Sequence, residues 1–526
     1  MVHAVQCTAA VTWRSFWTAP GGRISCAVVR IAIATSLAWT LARMSAHVVD
    51  ARSVLYVPHG VWLLYPGRPP DELLRAIELI AWIATLAALV GAWTRPMHAI
   101  GVLAVLALAT HEASSAVKWS HQNVPPLLAG LAFLGARGGD ALSVDALVRR
   151  LRGRPPIDVA GSYQASVRLV LVVVASIFFV AATVKLASGG PRLGWALSDN
   201  LRHQILLRFD WFGRTRTPIA DWMLMRSWRY ESFALLNLCS QLAPMGAVLA
   251  IDRPILRAAL GLVWIGELVG LGAVMAYWDV HWLPLAAVFV DWDRLVRARP
   301  AAAPVTAPRA TQRFALGFLT FYAVQALLLD QRLNAYPFSS FPMFAEIRAK
   351  RPYGRHQSFD LVGTRVELLG ARDEEAAWIA GRVVRYHELW RDRPSALRRE
   401  LRAILADVRA AFPDTHVTGV RAWLAVDRAP AYPAPAKLVE HDVAIVAELD
   451  GDDRFHSALG CASGPIALSP MTELTSLAAF GDDLLAPIAL PAIRIAGGFV
   501  IAPAEPVHYL AGEQAGARWL IAVLGS

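Results

Sequence analysis

The chain has 526 residues, of which 56 % are hydrophobic and only 17 % are charged, and its formal net charge is +10. Soluble proteins average about 25 % charged residues, so this composition excludes a disordered chain and indicates a membrane protein. The length exceeds what one hydrophobic core usually organises, and we therefore expect more than one structural unit. The four cysteines lie far apart without a CxxC pair, which indicates neither a disulfide framework nor a cysteine metal site.

Nine apolar runs follow one another in the first two thirds of the chain. Seven of them come close to the roughly 20 residues that cross a hydrocarbon core, and two are shorter. The long runs lie near residues 26–46, 77–93, 98–116, 166–187, 234–251, 256–277 and 313–329, and the short ones at 122–135 and 281–292. We predict a membrane α protein: a polytopic helical bundle of about nine transmembrane helices over residues 26–330. Residues 1–25 are predicted to be a cytoplasmic, interfacial lead-in.

Arginines in the short loops predict the orientation. One cluster, at residues 149–154, lies between the fourth and fifth runs, and another, at 294–309, lies between the eighth and ninth. The positive-inside rule places both loops in the cytoplasm. The protein is therefore predicted to be a multi-pass cell-membrane protein with a cytoplasmic N-terminus. Because these arginines account for the basic charge, no nucleic-acid partner is expected.

Residues 331–526 have a different pattern and are predicted to form an extracytoplasmic α+β domain. A charged, helical stretch extends from Asp373 to about Ala411 and is interrupted near Pro394. Three segments alternate in the manner of strands, and they lie at residues 358–369, 416–427 and 437–449. The remaining residues, 452–526, are apolar but contain prolines and an arginine, so a tenth membrane span is not expected there.

Lys185 is the most informative ionisable residue inside the predicted bundle. It follows the apolar run 169–184 and precedes Gly189-Gly190, which we interpret as a helix terminator. Ionisable groups inside a span mark function or a buried pair. Desolvation would favour the neutral amine, which is a usable base near neutral pH. A lysine that extends to the interface is the alternative, and position alone leaves both open.

Five segments, in this order, resemble those of one known family. They are Lys118–Asn123 entering the apolar stretch Leu127–Leu131, then Leu142–Leu147, then Phe178–Leu186 with Trp195 downstream, then Leu201–His203, and finally Asp279–Phe289. Together they resemble the vitamin K-dependent gamma-carboxylase and its bacterial HTTM-domain (horizontally transferred transmembrane) relatives. The resemblance covers about residues 20–330, and the residues after 331 match nothing that we recognise.

The resemblance implies a quinol-dependent membrane enzyme. In the family, a lysine corresponding to Lys185 deprotonates vitamin K hydroquinone, oxygen then yields a strong base, and a glutamyl carbanion captures carbon dioxide. It implies catalytic roles for Lys185, His121 and His281, the histidines orienting the quinol or stabilising an oxyanion. It implies that Trp119, Trp195 and His203 contribute to cofactor binding. The implied cofactor is a reduced quinone without a metal, and the implied partners are membrane lipids and an extracytoplasmic peptide or protein substrate.

The chain also departs from the family, so three interpretations stay open. His121 is displaced by one position relative to Trp119, one lysine stands where the family often has a pair, and no propeptide-recognition part is visible. The first interpretation is a quinol-dependent carboxylase (a carbon–carbon lyase) or oxidoreductase with Lys185 as base. The second is a non-enzymatic HTTM membrane module that binds quinone or lipid or docks partners. The third is a transporter using Glu112, Glu267 and Asp279, which is weakest because no inverted repeat is apparent.

Overall fold

The computed structural model places most of the chain. It describes residues 22–48, 58–115, 121–155, 162–296, 313–320, 355–376, 379 and 394–457, apart from residues 59, 66, 212–213 and 357, together with backbone strands between 459 and 524. The lead-in predicted for residues 1–25 falls almost entirely outside the described residues, as do Lys118 and Trp119.

The described residues between 22 and 296 form a bundle of helices. In chain order these are α1 (Arg23–Val48), α2 (Asp71–Val90), α3 (Thr94–Ser115), α4 (Val124–Ala132), α5 (Val144–Leu151), α6 (Ser162–Gly189), α7 (Asn200–Leu206), α8 (Pro218–Leu224), α9 (Ser227–Leu242), α10 (Gly246–Leu249), α11 (Pro254–Met275) and α12 (Trp292–Leu295). Short 3-10 helices occur at Gly60–Leu64, His121–Asn123, Ala243–Met245 and Val280–Phe289, and a π-helical turn at Leu207–Trp211. The prediction of a helical membrane bundle is confirmed at this level.

Six helices among the described residues are long and apolar enough to cross a membrane: α1, α2, α3, α6, the continuous stretch Ser227–Leu249, and α11. The two short predicted runs have other forms. The run at 122–135 contains the nine-residue α4, and the run at 281–292 contains the ten-residue 3-10 helix Val280–Phe289, which has Pro284 inside. Neither has the length that an unaided crossing needs. Of the last run, the structure describes helix at residues 313–320.

Helix α6 lies at the centre of the bundle, because most of its apolar side chains are buried rather than confined to one face. Its buried residues join a core with side chains from α1, α3, α4, α11 and the 3-10 helix. Trp264 of α11 and Trp282 of the 3-10 helix both contact Phe178 of α6, with ring centroids 5.8 and 6.1 Å apart. This packing fixes the position of the last turns of α6, where Lys185 lies.

Polar caps from distant parts of the chain fix the ends of the helices. Asp293 in α12 accepts hydrogen bonds from the backbone N–H groups of Gly22, Ile24 and Ser25, at 3.0 to 3.1 Å, and thereby caps α1. Asp145, from the segment that resembles the family motif, accepts from the N–H groups at the start of α3 in the same way. Such caps satisfy the N–H groups that a helix leaves unpaired at its beginning. The aspartate of this motif therefore has a structural role.

A second unit follows the bundle. An antiparallel sheet with strand order β1-β2-β3-β4 consists of Phe359–Leu369, Gly419–Ala429, Val439–Asp450 and Phe455–Ser457, and α13 (Pro394–Ala411) packs on it. The three predicted strands correspond to β1, β2 and β3, and the predicted interruption at Pro394 is the start of α13. Helix α13 buries the residues spaced i, i+4, i+7, i+8 and i+11, namely Leu397, Leu401, Ile404, Leu405 and Val408.

The described residues between 459 and 524 are strands. They are β5 (Leu459–Ala462), β6 (Ile466–Leu468), β7 (Leu474–Phe480), β8 (Pro487–Ile488), β9 (Ala492–Ile495), β10 (Gly498–Ile501), β11 (Val507–Gln514) and β12 (Ala517–Leu524). Strands β6, β10 and β9 form one sheet, and β5, β11, β12, β7 and β8 form another. The described part of this segment therefore shows no tenth spanning helix.

One ion pair near the sheet gives a pH prediction. Arg372 donates to the carboxylate of Glu375 from its guanidinium and its backbone N–H, which lowers the pKa of Glu375 from 4.5 to about 2. A depressed pKa stabilises the folded state above pH 4.5, and this contribution is lost as the pH falls toward 2. The unfolding temperatures of the wild type and Glu375→Gln should differ most above pH 5 and converge toward pH 2. A constant difference across this range would contradict the assignment.

Candidate functional site

The Lys185 amine is buried inside the bundle. The residue is 1 % exposed, and its Nζ donates to Oδ1 of Asn237 at 2.7 Å and to Oε1 of Gln241 at 2.9 Å. Both acceptors are on α9, one helical turn apart, so they present their side chains to α6 from the same face. The side chain is therefore held by a neighbouring helix and does not extend to the surface of the protein.

Trp195 covers the remaining side of the amine. Lys185 Nζ lies 4.3 Å from the centroid of the Trp195 ring, which is a cation–π distance. The chain reverses after α6 through Gly190, which has a φ of +61°, and a side chain at Gly189 would approach the Trp195 backbone to 2.8 Å. The interpretation of Gly189-Gly190 as a helix terminator is confirmed, and the same two glycines bring Trp195 over Lys185.

A carboxylate lies beyond the two amides. Glu267 on α11 accepts from Nδ2 of Asn237 at 2.5 Å and from Nε2 of Gln241 at 2.8 Å, both on Oε1, and Ser240 donates to its other oxygen. Glu267 is 6 % exposed. It lies eight residues before the end of α11, which is about 12 Å along the helix. Lys185 and Glu267 are thus the two ends of a polar chain across three helices.

The hydrogen bonds of this chain have a consistent direction. An ammonium only donates and a carboxylate only accepts, and each amide between them accepts at its oxygen and donates at its nitrogen. Two amide oxygens and the Trp195 ring face match the three N–H groups of an ammonium. Within the described part of the chain, no carboxylate lies within 4 Å of Lys185 Nζ, so the charged ends are connected through Asn237 and Gln241. In the structure, Lys185 therefore has the contacts of a buried ammonium.

His281 belongs to a different polar cluster. Its Nε2 bonds the backbone oxygen of Gln122 at 2.8 Å, and its Nδ1 faces Nη1 of Arg43 at 2.7 Å. A carbonyl needs a donor and a guanidinium needs an acceptor, so this pair of partners selects the neutral tautomer with the proton on Nε2. Arg43 also lies 3.5 Å from a carboxylate oxygen of Asp279. His281 thereby positions Arg43, and none of these partners is shared with Lys185.

Of the other predicted site residues, the structure brings only Trp195 into contact with Lys185 among those whose side chains it describes. His203 is fully buried in α7, next to Arg202, whose guanidinium bonds the backbone oxygens of Pro430 and Ala434 in the loop after β2. His121 begins a 3-10 turn, but the structure does not describe its side chain, and Trp119 lies wholly outside the described residues. The catalytic and cofactor roles of these residues stay predictions.

Sequence reasoning missed the residues that hold Lys185. Asn237, Ser240 and Gln241 interrupt an apolar stretch at i, i+3 and i+4, so they lie on one face of α9. Polar side chains with this spacing in a membrane helix signal an interhelical hydrogen-bond site. That signal is present in the sequence. It does not reveal which helix the polar face contacts.

A cavity of about 250 Å³ lies near the other end of α6. Its walls are mostly small or apolar side chains from α4 and the residues after it, from α6 and from the described helix at 313–320. They are Ala132, Gly135, Ala165, Ser166, Leu169, Phe314 and Ala315. Leu169 and Lys185 are 16 residues apart, which is about 24 Å along the helix. This cavity is therefore separate from the Lys185 site.

Comparisons with known proteins give no match: no family model, no curated protein and no solved structure is similar to the chain. The family resemblance therefore rests on the short segments quoted above. Among the residues that the structure describes, no group of three or more His, Cys, Asp or Glu side chains is arranged to hold a metal ion.

Proposed function

We propose that the protein is a multi-pass membrane enzyme that acts on a reduced quinone, with Lys185 as the base. One observation carries the proposal. The Lys185 amine is fully buried, and its direct partners are two neutral amide oxygens and an aromatic ring, with the carboxylate of Glu267 one side chain further away. Hydrogen bonds to ionised acceptors are roughly twice as strong as those to neutral ones. An amine without a direct carboxylate is therefore held less strongly as an ammonium than one in a direct ion pair, so it reaches the neutral, proton-accepting form more readily.

Trp195 is the side chain that we propose the quinol displaces to reach the Lys185 amine. The Lys185 site is closed in the structure, so a substrate would have to displace a side chain to reach the amine. Displacing Trp195 would remove the cation–π contact and open one N–H direction of Lys185, and a quinol ring is flat and aromatic like the indole that it would replace. The helix end at Gly189-Gly190 provides a turn at which this segment could move.

The proposed reaction is the one that the family resemblance implies. Lys185, once neutral, would take the proton of a quinol hydroxyl, and Trp195 would give up its place to the quinol ring. A bound reduced quinone would supply, by its own oxidation with oxygen, the strong base that the carboxylation of a glutamyl residue by carbon dioxide requires. A buried amine suits the first step because water would compete for the base. We also propose nine crossings, a cytoplasmic N-terminus and an external α+β domain that receives the peptide.

Purified protein in lipid nanodiscs tests this function. A reduced naphthoquinone, oxygen, labelled bicarbonate and a glutamyl peptide are supplied together. The proposal predicts label in the peptide that depends on both quinol and oxygen. Background labelling while the protein still binds the quinone would contradict the enzymatic proposal and favour a binding module.

The second candidate function is a module that binds lipid, and the 250 Å³ cavity favours it. We propose that a hydrocarbon chain of a membrane lipid or of a quinone occupies this cavity, because its walls are mostly small or apolar side chains. The proposed occupant needs no catalytic residue. Retained lipid can therefore be measured independently of turnover.

A cavity-filling substitution tests the lipid site. A Cβ at Gly135 would meet open space, so Gly135→Leu should project into the cavity without a backbone clash. We expect native mass spectrometry to show at least threefold less retained lipid for this variant. Gly266→Leu is the matched control, because Gly266 also faces open space but lies in α11 outside the cavity lining. Equal lipid retention by both variants would contradict the site.

A further inference from the structure

The side chains that hold Lys185 are held in turn by one carboxylate. Asn237 and Gln241 each direct their amide oxygen to the Lys185 amine, at 2.7 and 2.9 Å, and their amide nitrogen to Glu267, at 2.5 and 2.8 Å. Ser240, between them on the same helical face, donates to the second oxygen of Glu267. The amine and the carboxylate are therefore joined by two parallel amide bridges.

The charges at the two ends determine how the amides are oriented. A primary amide can rotate by 180°, which exchanges its oxygen and nitrogen with little change in shape. If the rotation occurred here, N–H groups would face the ammonium and an oxygen would face the carboxylate, and both contacts would be repulsive. The carboxamide of a glutamine at position 267 would both donate and accept. It would therefore tolerate either orientation of Asn237 and Gln241.

We infer that Glu267 is a positioning residue that fixes both amide oxygens on the Lys185 amine. The carboxylate accepts three hydrogen bonds from one face of α9, and those bonds set the two acceptors that hold Nζ in place. The effect of Glu267 on catalysis rests on the proposed function, whereas its effect on the position of the Lys185 amine rests on the hydrogen bonds alone. Glu267 thus acts on the amine through Asn237 and Gln241 and has no direct contact with it.

The small number of lysines allows a direct test. The chain has lysines only at positions 118, 185, 350 and 437, so ε-¹⁵N-lysine labelling gives at most four side-chain NMR signals. The signal that disappears in Lys185→Arg is that of Lys185. We expect Glu267→Gln to move or broaden this signal and Glu267→Asp, which keeps the carboxylate, to leave it close to its wild-type position. Equal effects of the two substitutions, or no effect of Glu267→Gln, would overturn the inference.

Glu231→Gln is the matched control. Glu231 is a buried carboxylate, 4 % exposed, on α9, the helix that carries Asn237 and Gln241, but it pairs with Arg355 outside the Lys185 chain. We expect this variant to leave the Lys185 signal unchanged, and a shift as large as that of Glu267→Gln would overturn the inference. If Glu267→Gln does not fold, Asn237→Ala replaces it. That variant removes one bridge, so it should move the Lys185 signal, and an unmoved signal would again overturn the inference.

The kinetic constants kcat and KM distinguish a positioning role of Glu267 from a role in substrate binding. With a reduced naphthoquinone as substrate, Glu267→Gln should lower kcat at least tenfold and change KM less than twofold, and Glu267→Asp should recover most of kcat. A change in KM alone would contradict a positioning role. If the wild type shows no turnover, the proposed function fails, and the NMR comparison of Glu267→Gln with Glu267→Asp still decides whether Glu267 positions Lys185.

Discussion

Lys185→Met is expected to reduce quinol-dependent labelling of a glutamyl peptide by at least about a hundredfold. A positioned general base contributes roughly 10² to 10⁴ in rate, and methionine has a similar length but no proton-accepting nitrogen. The rate of label incorporation at saturating quinol measures the effect. Lys437→Met is the matched control because Lys437 is exposed in the loop before β3. Equal rates for the two variants would show that Lys185 is not the base.

The same substitution affects stability, and a double variant separates the two effects. Without the Lys185 ammonium, the Glu267 carboxylate at the other end of the polar chain stays buried with no opposite charge to balance it. A buried charge that loses its compensating partner destabilises a protein by roughly 3 to 5 kcal/mol. Lys185→Met should therefore lower the unfolding temperature, and adding Glu267→Leu should recover part of the loss. Activity should not recover. A double variant with restored turnover would contradict the base assignment, whatever its stability.

Asp199→Ala is expected to loosen the contact between the bundle and the four-stranded sheet. Asp199 is buried and accepts from the Tyr230 hydroxyl at 2.5 Å, the Tyr432 backbone N–H at 3.0 Å, and Nδ1 of His356 at 3.0 Å. Tyr230 is in α9, whereas Tyr432 is in the loop between β2 and β3. One carboxylate thus connects the two units, and its removal leaves three groups without their acceptor, each at a cost of about 1 to 3 kcal/mol.

Hydrogen exchange at the Tyr432 amide measures this effect. We expect exchange at least tenfold faster in Asp199→Ala, which corresponds to about 1.4 kcal/mol less protection. Asp199→Asn keeps an acceptor oxygen, so its exchange rate at the Tyr432 amide should lie between those of Asp199→Ala and the wild type. Asp71→Ala is the control, since Asp71 is partly exposed and pairs with Arg68 at the start of α2. Unchanged exchange at Tyr432 would contradict the role of Asp199.

The elements that the sequence predicted well are those determined locally. Six of the seven long apolar runs became α1, α2, α3, α6, α9 and α11, because length and hydropathy are properties of the segment itself. Of the seventh run, the structure describes helix only at residues 313–320. The alternating segments became β1, β2 and β3, because alternation of apolar and polar residues is also a property of the segment itself. The short runs were harder, because a segment such as Val280–Phe289 takes its 3-10 form from Pro284 and from contacts with α1 and α11. Such contacts are not encoded within ten residues.

The candidate site was predictable only in part. Lys185 was identified because a lysine in an apolar run is unusual, and Trp195 followed from the family resemblance. Asn237, Gln241 and Glu267 lie 52 to 82 residues further along the chain. Only packing shows that the two amides contact Lys185 and that Glu267 holds the amides. His281 was grouped with Lys185 on the resemblance, but Arg43 and Gln122 occupy its ring nitrogens.

The central claim is that the Lys185 amine is the group that meets a reduced quinone. The most direct measurement is the ε-¹⁵N-lysine spectrum of the protein in nanodiscs, recorded without oxygen as a short-tailed reduced naphthoquinone is added. The account predicts that the Lys185 signal moves in a saturable manner while the exposed Lys437 signal stays constant. A Lys185 signal that does not move at quinone concentrations that saturate binding would contradict it.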